Sequence, residues 1–220
     1  LKVVLSPASG QWRVDGGTWQ ASSATVSNLQ PGAHTVDYAA VGGYSAPTSE
    51  SVTLTSGQLL TVNRSYTALA QLQIALTPTS AQWRIDGGAW QPSGATVANL
   101  SPGAHTVSYN ALGGYSAPAS ESVTLVSGQL TTLTRSYVQL AQLTATLTPS
   151  SAQWRVDGGA WLASGATAAN LAPGNHTVDY NALAGYIAPA SETVALASGQ
   201  SLPLARSYVQ LAQLTVTLNP

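Results

Sequence analysis

The sequence predicts an all-β protein: a tandem array of small Ig-like or transthyretin-like antiparallel β-sandwiches with about seven strands each. Three observations lead to this fold class. Residue types recur every 71 positions, as in Trp12, Trp83 and Trp154. No stretch places apolar residues at the helical spacing i, i+3, i+4 and i+7. Short runs of alternating apolar and polar residues, separated by Gly and Pro, recur along the chain instead.

The period of 71 residues defines the expected domains. A unit of this length can enclose its own core, whereas solenoid repeats of about 20 to 50 residues must stack to bury theirs. We expect β-sandwich repeats at 1–69, 70–140 and 141–211, followed by the first strand of a partial fourth repeat at 212–220. The partial repeat and the absence of Met indicate a piece of a longer array.

Local alternation predicts the strands within one copy. In the first copy they are expected at 2–5, 11–15, 18–20, 24–29, 34–40, 50–54 and 59–66. The pair Pro31-Gly32 marks a turn before the strand that carries His34. Alternation along that strand places His34 and Val36 on one side and Asp37 on the other.

A Gly-Gly pair predicts the first hairpin of each copy. We expect Gly16-Gly17 to form a two-residue loop, because Gly tolerates the positive φ of primed turns. That register places Val14 opposite Trp19 and Trp12 opposite Ala21. Both tryptophans then share one face of the strand pair, and the other face is polar, with Arg13, Asp15 and Gln20.

A second hairpin is predicted around a three-residue loop at 56–58. Its register pairs Glu50 with Arg64, an ion pair that we interpret as structural and worth about 0–1 kcal/mol if exposed. Pro203, in the last strand of the third copy, predicts a sheet edge, where a missing N–H is tolerated. The same ion pair is expected in the other copies: Glu121 with Arg135, and Glu192 with Arg206.

The linker between copies, 66–71, contains neither Gly nor Pro. A segment of this kind that joins two β strands is expected to be extended and semi-rigid, which predicts a rod-like array. The partial fourth copy alternates Leu214, Val216 and Leu218, which cannot bury an apolar face alone. We therefore expect it to pair with another molecule by β-strand addition.

Composition limits the classes of partner. Charged residues make up only 7% of the chain and the formal net charge is −1, whereas soluble domains average about 25% charged residues. Nucleic acids and anionic membranes are recognised through clustered Lys and Arg, so neither is expected as a partner. No apolar run reaches the roughly 18 residues of a membrane span. Low charge with abundant Ser, Thr, Gly and Ala favours an extracellular or cell-surface location in bacteria.

An ordered set of short motifs recurs in the three copies: Val14-Asp15-Gly16, the segment 29–36, Gly43-Tyr44, Val52-Thr53-Leu54 and Gly57-Gln58. This combination resembles the PEGA domain, a small β-sandwich module of bacterial surface and envelope proteins. The resemblance covers most of each copy and implies an accessory or structural module without catalytic residues. A second Trp after the Asp-Gly pair and a Pro-Gly turn without an acidic residue depart from the family pattern.

The tryptophans admit two interpretations, and there are six of them: Trp12, Trp19, Trp83, Trp90, Trp154 and Trp161. They pack in the core, since their predicted face also carries Val14, or they form flat platforms for carbohydrate rings. Exposure of the indole rings discriminates between the two.

No residue combination predicts catalysis. His34 and Asp37 point to opposite faces of one strand, so we interpret His34 as structural. The segment 15–17 lacks the further carboxylates of a calcium loop, and without Cys there is neither a disulfide nor a thiolate metal site. No nucleophile accompanies a base, and the sequence contains no catalytic or phosphate-binding motif. We therefore expect no enzymatic activity, cofactor or metal.

Repetition favours a structural role, because copies add reach or avidity, whereas catalysis needs one well-formed site. The leading hypothesis is a structural repeat protein that forms part of an extracellular bacterial stalk, fibre or filament. The alternative is a multivalent adhesin-type module that recognises carbohydrate or protein through weak sites on each repeat. The expected partners are further repeats of the same array, a glycan or a surface protein.

Overall fold

The computed structural model describes residues 1–216 and confirms the all-β fold class. Strands are the only regular elements that occur among these residues. The chain divides into two compact units, one comprising 1–108 and 120–135 and the other comprising 109–119 and the described residues from 136 onward.

The strands follow the 71-residue period. Residues 1–69 form β1 (Lys2–Ser6), β2 (Gln11–Val14), β3 (Gln20–Ala21), β4 (Gly32–Tyr38), β5 (Tyr44–Ser45), β6 (Glu50–Leu54), β7 (Thr61–Ser65) and β8 (Thr67–Ala68). Residues 70–140 form β9 (Ala70–Thr77), β10 (Gln82–Ile85), β11 (Gln91–Pro92), β12 (Thr96–Leu100), β13 (Gly103–Tyr109), β14 (Tyr115–Ser116), β15 (Glu121–Leu125), β16 (Leu130–Ser136) and β17 (Val138–Gln139). Residues from 141 onward form β18 (Ala141–Thr148), β19 (Gln153–Val156), β20 (Leu162–Ala163), β21 (Thr167–Leu171), β22 (Gly174–Tyr180), β23 (Tyr186–Ile187), β24 (Glu192–Leu196), β25 (Ser201–Ser207) and β26 (Val209–Gln210).

The first unit begins with a β-sandwich formed by residues 1–69. One sheet is antiparallel and has the strand order β3-β2-β4-β6. The other consists of β1 and β7, which run parallel and pair Val3 with Val62. Apolar side chains of both sheets meet in one core, in which Trp12 is fully buried. A short ribbon, β5-β8, leads out of this copy.

The same unit holds the main sheets of the second copy, in the orders β11-β10-β13-β15 and β12-β9-β16. Along β9, buried residues alternate with exposed or half-buried ones, as expected for a strand with one face on a core. Its inward side chains, Leu72 and Ile74, are fully buried, as is Trp83 on β10.

The second unit contains the third copy and the short ribbon β14-β17. The sheets of the third copy have the orders β20-β19-β22-β24 and β21-β18-β25. β18 and β25 run parallel, and Pro203 lies opposite Thr144 at the sheet edge predicted for it. Trp154 and Leu143 are fully buried in the core between the sheets.

The first hairpin turns one residue earlier than the sequence predicted. Asp15 and Gly16 have φ values of 51° and 69°, and the Gly17 N–H donates to the Val14 carbonyl at 2.9 Å. Positive φ at two successive residues, with Asp-Gly in those positions, is typical of a type I′ turn. The turn is therefore centred on Asp15-Gly16 and not on Gly16-Gly17.

The register of the two strands, and not the position of the turn, reverses the predicted placement of one tryptophan. β2 and β3 pair Trp12 with Gln20, whereas the sequence analysis paired it with Ala21. A slip of one residue moves a side chain to the opposite face of a strand. Trp19 consequently lies on the face opposite Trp12, and the prediction that both rings share one face is wrong.

The predicted hairpin around 56–58 does not form. β6 belongs to the sheet of β4, whereas β7 pairs with β1 in the other sheet. The loop therefore crosses from one sheet to the other, and the last long strand of the copy runs parallel to its first. Parallel neighbours require a crossover rather than a tight turn, so local alternation alone does not predict this pairing.

Two further predictions have mixed outcomes. The strand expected at 24–29 has counterparts in β12 and β21, but the first copy shows only a bridge between Lys2 and Thr25. In the second copy Leu100 pairs with Ala70. The residue equivalent to Ala70 in the first copy would come before Leu1, so this pairing is absent there. In the partial fourth copy, residues 212–216 form no strand, and the rest of that predicted strand lies outside the described residues.

Candidate functional site

One tryptophan of each pair belongs to the core. Trp12, Trp83 and Trp154 are 0% exposed. Each indole Nε1–H donates to a backbone carbonyl on the neighbouring short strand, at 3.1 Å for Ala21 and 3.2 Å for Pro92 and Ala163. A buried indole needs an acceptor for its N–H, and this bond supplies it, so no donor is left unpaired in the core. These three residues therefore have a structural role.

The other tryptophan of each pair is on the surface. Trp19, Trp90 and Trp161 are 42%, 39% and 41% exposed. An arginine from the preceding strand lies over each ring, with its Cζ 4.7 Å from the centroid for Arg13, 4.6 Å for Arg84 and 4.7 Å for Arg155. Such cation–π contacts at exposed sites contribute about 0.5–1 kcal/mol. Each copy therefore presents an Arg–Trp pair on the outer face of its larger sheet.

A carboxylate completes this arrangement in the first copy. The Arg13 Nε–H donates to Asp37 Oδ2 at 2.9 Å, and the Ser49 hydroxyl donates to Asp37 Oδ1 at 2.5 Å. The bond from Ser49 and the guanidinium of Arg13 lower the pKa of Asp37. In the third copy Arg155 and Ser191 hold Asp179 in the same way, and the pKa of Asp179 is also lowered.

The second copy lacks this carboxylate because Ser108 stands at the position of Asp37. The Arg84 Nε is buried and is the one buried side-chain polar atom without a hydrogen-bond partner among residues 1–216. The Ser120 hydroxyl bonds to the Ser108 hydroxyl at a long distance of 3.3 Å. The repeats therefore differ chemically at one surface position.

The histidines pair with the turn aspartates. His34 Nδ1 lies 2.6 Å from Asp15 Oδ2, and His34 Nε2 lies 2.8 Å from the Gln30 carbonyl. Because both ring nitrogens face acceptors, the protonated ring satisfies both, and the bond to Asp15 followed by that to Gln30 raises the pKa of His34. Asp15 Oδ1 also accepts the Thr35 N–H at 2.8 Å. This cluster ties the turn to β4.

The same cluster recurs in the other two copies. His105 Nδ1 and His176 Nδ1 each lie 2.6 Å from Oδ2 of Asp86 and Asp157. The bond to Asp86 is the main cause of the raised pKa of His105, and the bond to the Ala172 carbonyl is the main cause for His176. The histidine side chains are only 8–10% exposed, so the clusters support the structure of the turn.

The predicted Glu–Arg partners are brought together, although no hairpin joins them. Arg64 bonds to Glu50, and Arg206 bonds to Glu192 through Nε at 2.8 Å and Nη2 at 2.5 Å. Arg135 donates to Glu121 at 2.8 and 2.6 Å. In the first and third copies a tyrosine hydroxyl also donates to the glutamate, and burial followed by this bond raises the pKa of Tyr38 and Tyr180.

These ion pairs connect the two sheets of a copy. Glu50 lies on β6 and Arg64 on β7, which belong to different sheets. Their side chains are 23% and 42% exposed, so solvent screening keeps their contribution within about 0–1 kcal/mol. The pair links strands at the edge of the sandwich and is not a cross-strand pair of one sheet.

Sequence reasoning missed both surface clusters. It placed Trp19 with the core and did not relate His34 to Asp15, although the 71-residue period repeats Arg13, Trp19, Asp15 and His34 together. The type I′ preference for Asp-Gly was an available signal for the position of the turn, but not for the strand register that puts Arg13 and Trp19 on one face. The replacement of Asp37 by Ser108 in the second copy was visible in the sequence. Its consequence for the arginine was not, because it depends on which side chains share that face.

No group of three or more metal-ligating side chains occurs in the described part of the chain. Residues 1–216 also contain no helix with the length and apolar character needed to cross a membrane.

Neither a protein family nor a curated protein matches the chain. Among solved structures, it is similar to the Bacillus anthracis TIE protein, with 12% identity and a TM-score of 0.36 over 95% of this chain and 50% of that protein. It thus spans half of that protein's length. It is also similar to a Streptococcal ancillary pilin (15% identity, TM-score 0.34, 88% of this chain and 78% of that one). A further similar structure is BcpA, the major pilin subunit of Bacillus cereus (10% identity, TM-score 0.34, 95% and 98%).

Proposed function

We propose that this chain is a structural repeat protein, part of an extracellular stalk, fibre or filament of a bacterium, built from PEGA-like sandwiches at 1–69, 70–140 and 141–211. The observation that carries the proposal is the construction of the junctions. Each linker is a short strand that is hydrogen-bonded on both sides. A linker held in this way has little freedom to bend, which suits a stalk better than a binding module on a flexible tether.

The first junction is held by loops of both adjoining copies. A single residue, Leu69, separates β8 from β9, and its N–H donates to the Gly43 carbonyl at 2.8 Å. From the following copy, the Ser127 hydroxyl donates to the Ala68 carbonyl at 2.8 Å. The Gln71 N–H donates to the Gln129 carbonyl at 2.9 Å. Few backbone polar groups of the linker are therefore unpaired, and bending the linker would break the hydrogen bonds that hold it.

The second junction repeats these contacts 71 residues later. The Leu140 N–H donates to the Gly114 carbonyl at 2.8 Å, and the Ser198 hydroxyl donates to the Gln139 carbonyl at 3.0 Å. The Gly199 N–H also reaches the Gln139 carbonyl, at 3.2 Å. Recurrence of the same bonds supports the same construction of both linkers.

The first and third copies show parts of the same joint. In the first copy a cavity of about 400 Å³ lies beside Leu1 and is lined by residues at 25–29, 31 and 54–59, including Ser56, the counterpart of Ser127. In the third copy the Leu211 N–H donates to the Gly185 carbonyl at 2.8 Å, as Leu69 does to Gly43. Val209 and Leu211 are exposed. We expect such a joint wherever one repeat follows another in the array.

Small-angle X-ray scattering tests the proposal on the whole chain. We expect a narrow, elongated distance distribution, and a shorter, broader one after insertion of Gly-Ser-Gly-Ser behind Leu69. Ser127→Ala should loosen the first junction, whereas Ser56→Ala, the matched change, should leave the monomer profile unaltered. A wild-type profile that already fits freely jointed copies would contradict the structural role.

A second candidate function is a multivalent adhesin-type module, and the exposed rings of Trp19, Trp90 and Trp161 favour it. Aromatic faces on the surface suit carbohydrate rings, and three copies supply avidity. A glycan array probed with the wild type and with the triple variant Trp19→Ala, Trp90→Ala, Trp161→Ala tests it. Absence of any hit that depends on these rings removes this candidate and leaves the structural role intact.

A further inference from the structure

The second copy contains an arginine without the acid that its counterparts have. In the first copy the carboxylate of Asp37 lies between Arg13 and Ser49, and in the third that of Asp179 lies between Arg155 and Ser191. In the second copy the arginine and the serine are kept, as Arg84 and Ser120, but the acid is replaced by Ser108. Arg84 forms no ion pair with any side chain among residues 1–216.

The first and third copies show the geometry of the missing group. One carboxylate oxygen of Asp37 accepts the Arg13 Nε–H at 2.9 Å, and the other accepts the Ser49 hydroxyl at 2.5 Å. In these two copies the side chains of Asp37 and Asp179 are 23% and 25% exposed, so the carboxylate there is in contact with solvent. A planar group with two oxygens fits between an arginine and a serine hydroxyl there.

Arg84 is positioned to bind such a group. Its guanidinium is held over the Trp90 ring, with Cζ 4.6 Å from the centroid, which matches the 4.7 Å of the other two copies. A buried donor without an acceptor is unfavourable, so the Arg84 Nε–H gains from any acceptor that reaches it. The Ser120–Ser108 hydroxyl contact is long, at 3.3 Å, and both hydroxyls are able to turn toward a ligand at small cost.

We propose that the second copy contains a carboxylate-binding site, formed by Arg84, Ser108 and Ser120 beside Trp90, which the first and third copies lack because Asp37 and Asp179 fill it. The ligand is a carboxylate, supplied by a small free anion or by an acidic sugar. The charge-assisted bond from Arg84 and the hydroxyl of Ser120 reproduce the contacts of Asp37. This site does not depend on the assembly proposed above.

The test is a titration of the whole chain followed by NMR. Sodium acetate, sodium glucuronate, glucose and sodium phosphate are added at constant ionic strength, and the Arg84 Nε–H and Trp90 Nε1–H resonances are recorded. Acetate and glucuronate should both shift these signals in a saturable way, while those of Arg13 and Arg155 stay in place. Tighter binding of glucuronate than of acetate identifies the acidic sugar as the source, and equal binding identifies the small anion.

Two variants provide the controls. Ser108→Asp supplies the missing acid and should weaken acetate binding by roughly tenfold or more, since one charged hydrogen bond is lost to the ligand. Asp37→Ser opens a second site and should give Arg13 and Trp19 the same saturable response. A response to glucose equal to that of glucuronate, a stronger response to phosphate, or equal shifts at all three arginines in the wild type would each overturn the proposal.

Discussion

The two tryptophans of one hairpin have opposite environments. Trp12 is 0% exposed and donates its N–H inside the core, whereas Trp19, seven residues later, is 42% exposed and lies against Arg13. Composition and hydrophobicity do not distinguish these two residues. Their difference comes from the register of one strand pair, which shows that a single residue of register decides whether an aromatic ring serves stability or is available to a ligand.

The largest expected difference in stability is between the alanine variants of the two tryptophans. Trp12→Ala should lower the free energy of opening of the first copy by about 3–5 kcal/mol, because a large buried side chain leaves a cavity. Native-state hydrogen exchange of the β2 and β4 amides measures this loss. The β19 and β22 amides of the third copy, in the same molecule, are the control. A loss below that of Trp19→Ala would reverse our assignment of the two faces.

The turn itself offers the second prediction. Gly16→Ala should cost about 1–2 kcal/mol, because Gly16 has a φ of 69°, a conformation unfavourable for residues with a Cβ. Gly17 has no positive φ, and a Cβ there would lie 3.1 Å from the Val14 carbonyl oxygen, so Gly17→Ala should cost less. Urea unfolding of both variants ranks them. A larger cost at Gly17 would favour the register that the sequence analysis predicted.

The His–Asp cluster that holds this turn predicts how stability depends on pH. The pKa of His34 is raised in the folded state, so its contribution is complete below the unfolded value of about 6.5 and is lost as the pH rises through the folded value. The pKa of Asp15 is lowered, so its contribution is present above the unfolded value of about 3.9 and is lost as the pH falls through the folded value.

The urea concentration at the midpoint of unfolding should therefore be highest between the pH values at which these two contributions are lost. The variant with His34→Gln, His105→Gln and His176→Gln should lose the alkaline decline. It should also show a smaller decline on acidification, because the bond from the histidine is the main cause of the lowered pKa of each turn aspartate. An unchanged alkaline decline in that variant would show that the histidines do not carry it.

The smallest effect on stability is expected for the exposed ring. Trp19→Ala should cost no more than about 1 kcal/mol, the size of an exposed cation–π contact. The triple variant that also contains Trp90→Ala and Trp161→Ala should lose nearly all quenching of tryptophan fluorescence by acrylamide, since the remaining indoles are fully buried. Quenching equal to that of the wild type would mean that the core tryptophans are the accessible ones.

Much of the fold was predictable because it depends on local pattern. Alternation located the strands that carry Trp12, Val36 and Val52, and Pro203 indicated an edge strand. The pairing of β7 with β1 was not predictable, because its partners are some sixty residues apart in the chain and no local signal distinguishes it from a hairpin with β6. The surface cluster of Arg13, Trp19 and Asp37 depended on the turn register and was missed for that reason.

The sequence by itself determined that three similar all-β modules follow one another, which residues alternate along each strand, and where the copies differ, as at Ser108. Only the tertiary structure decided which tryptophan is buried, that His34 bonds to Asp15, and that Arg84 has no acid beside it. The physical reason is that alternation records the two faces of a strand but not which strand lies next to it. Neighbours are chosen by turn geometry and by burial summed over the whole module, which no local window of residues contains.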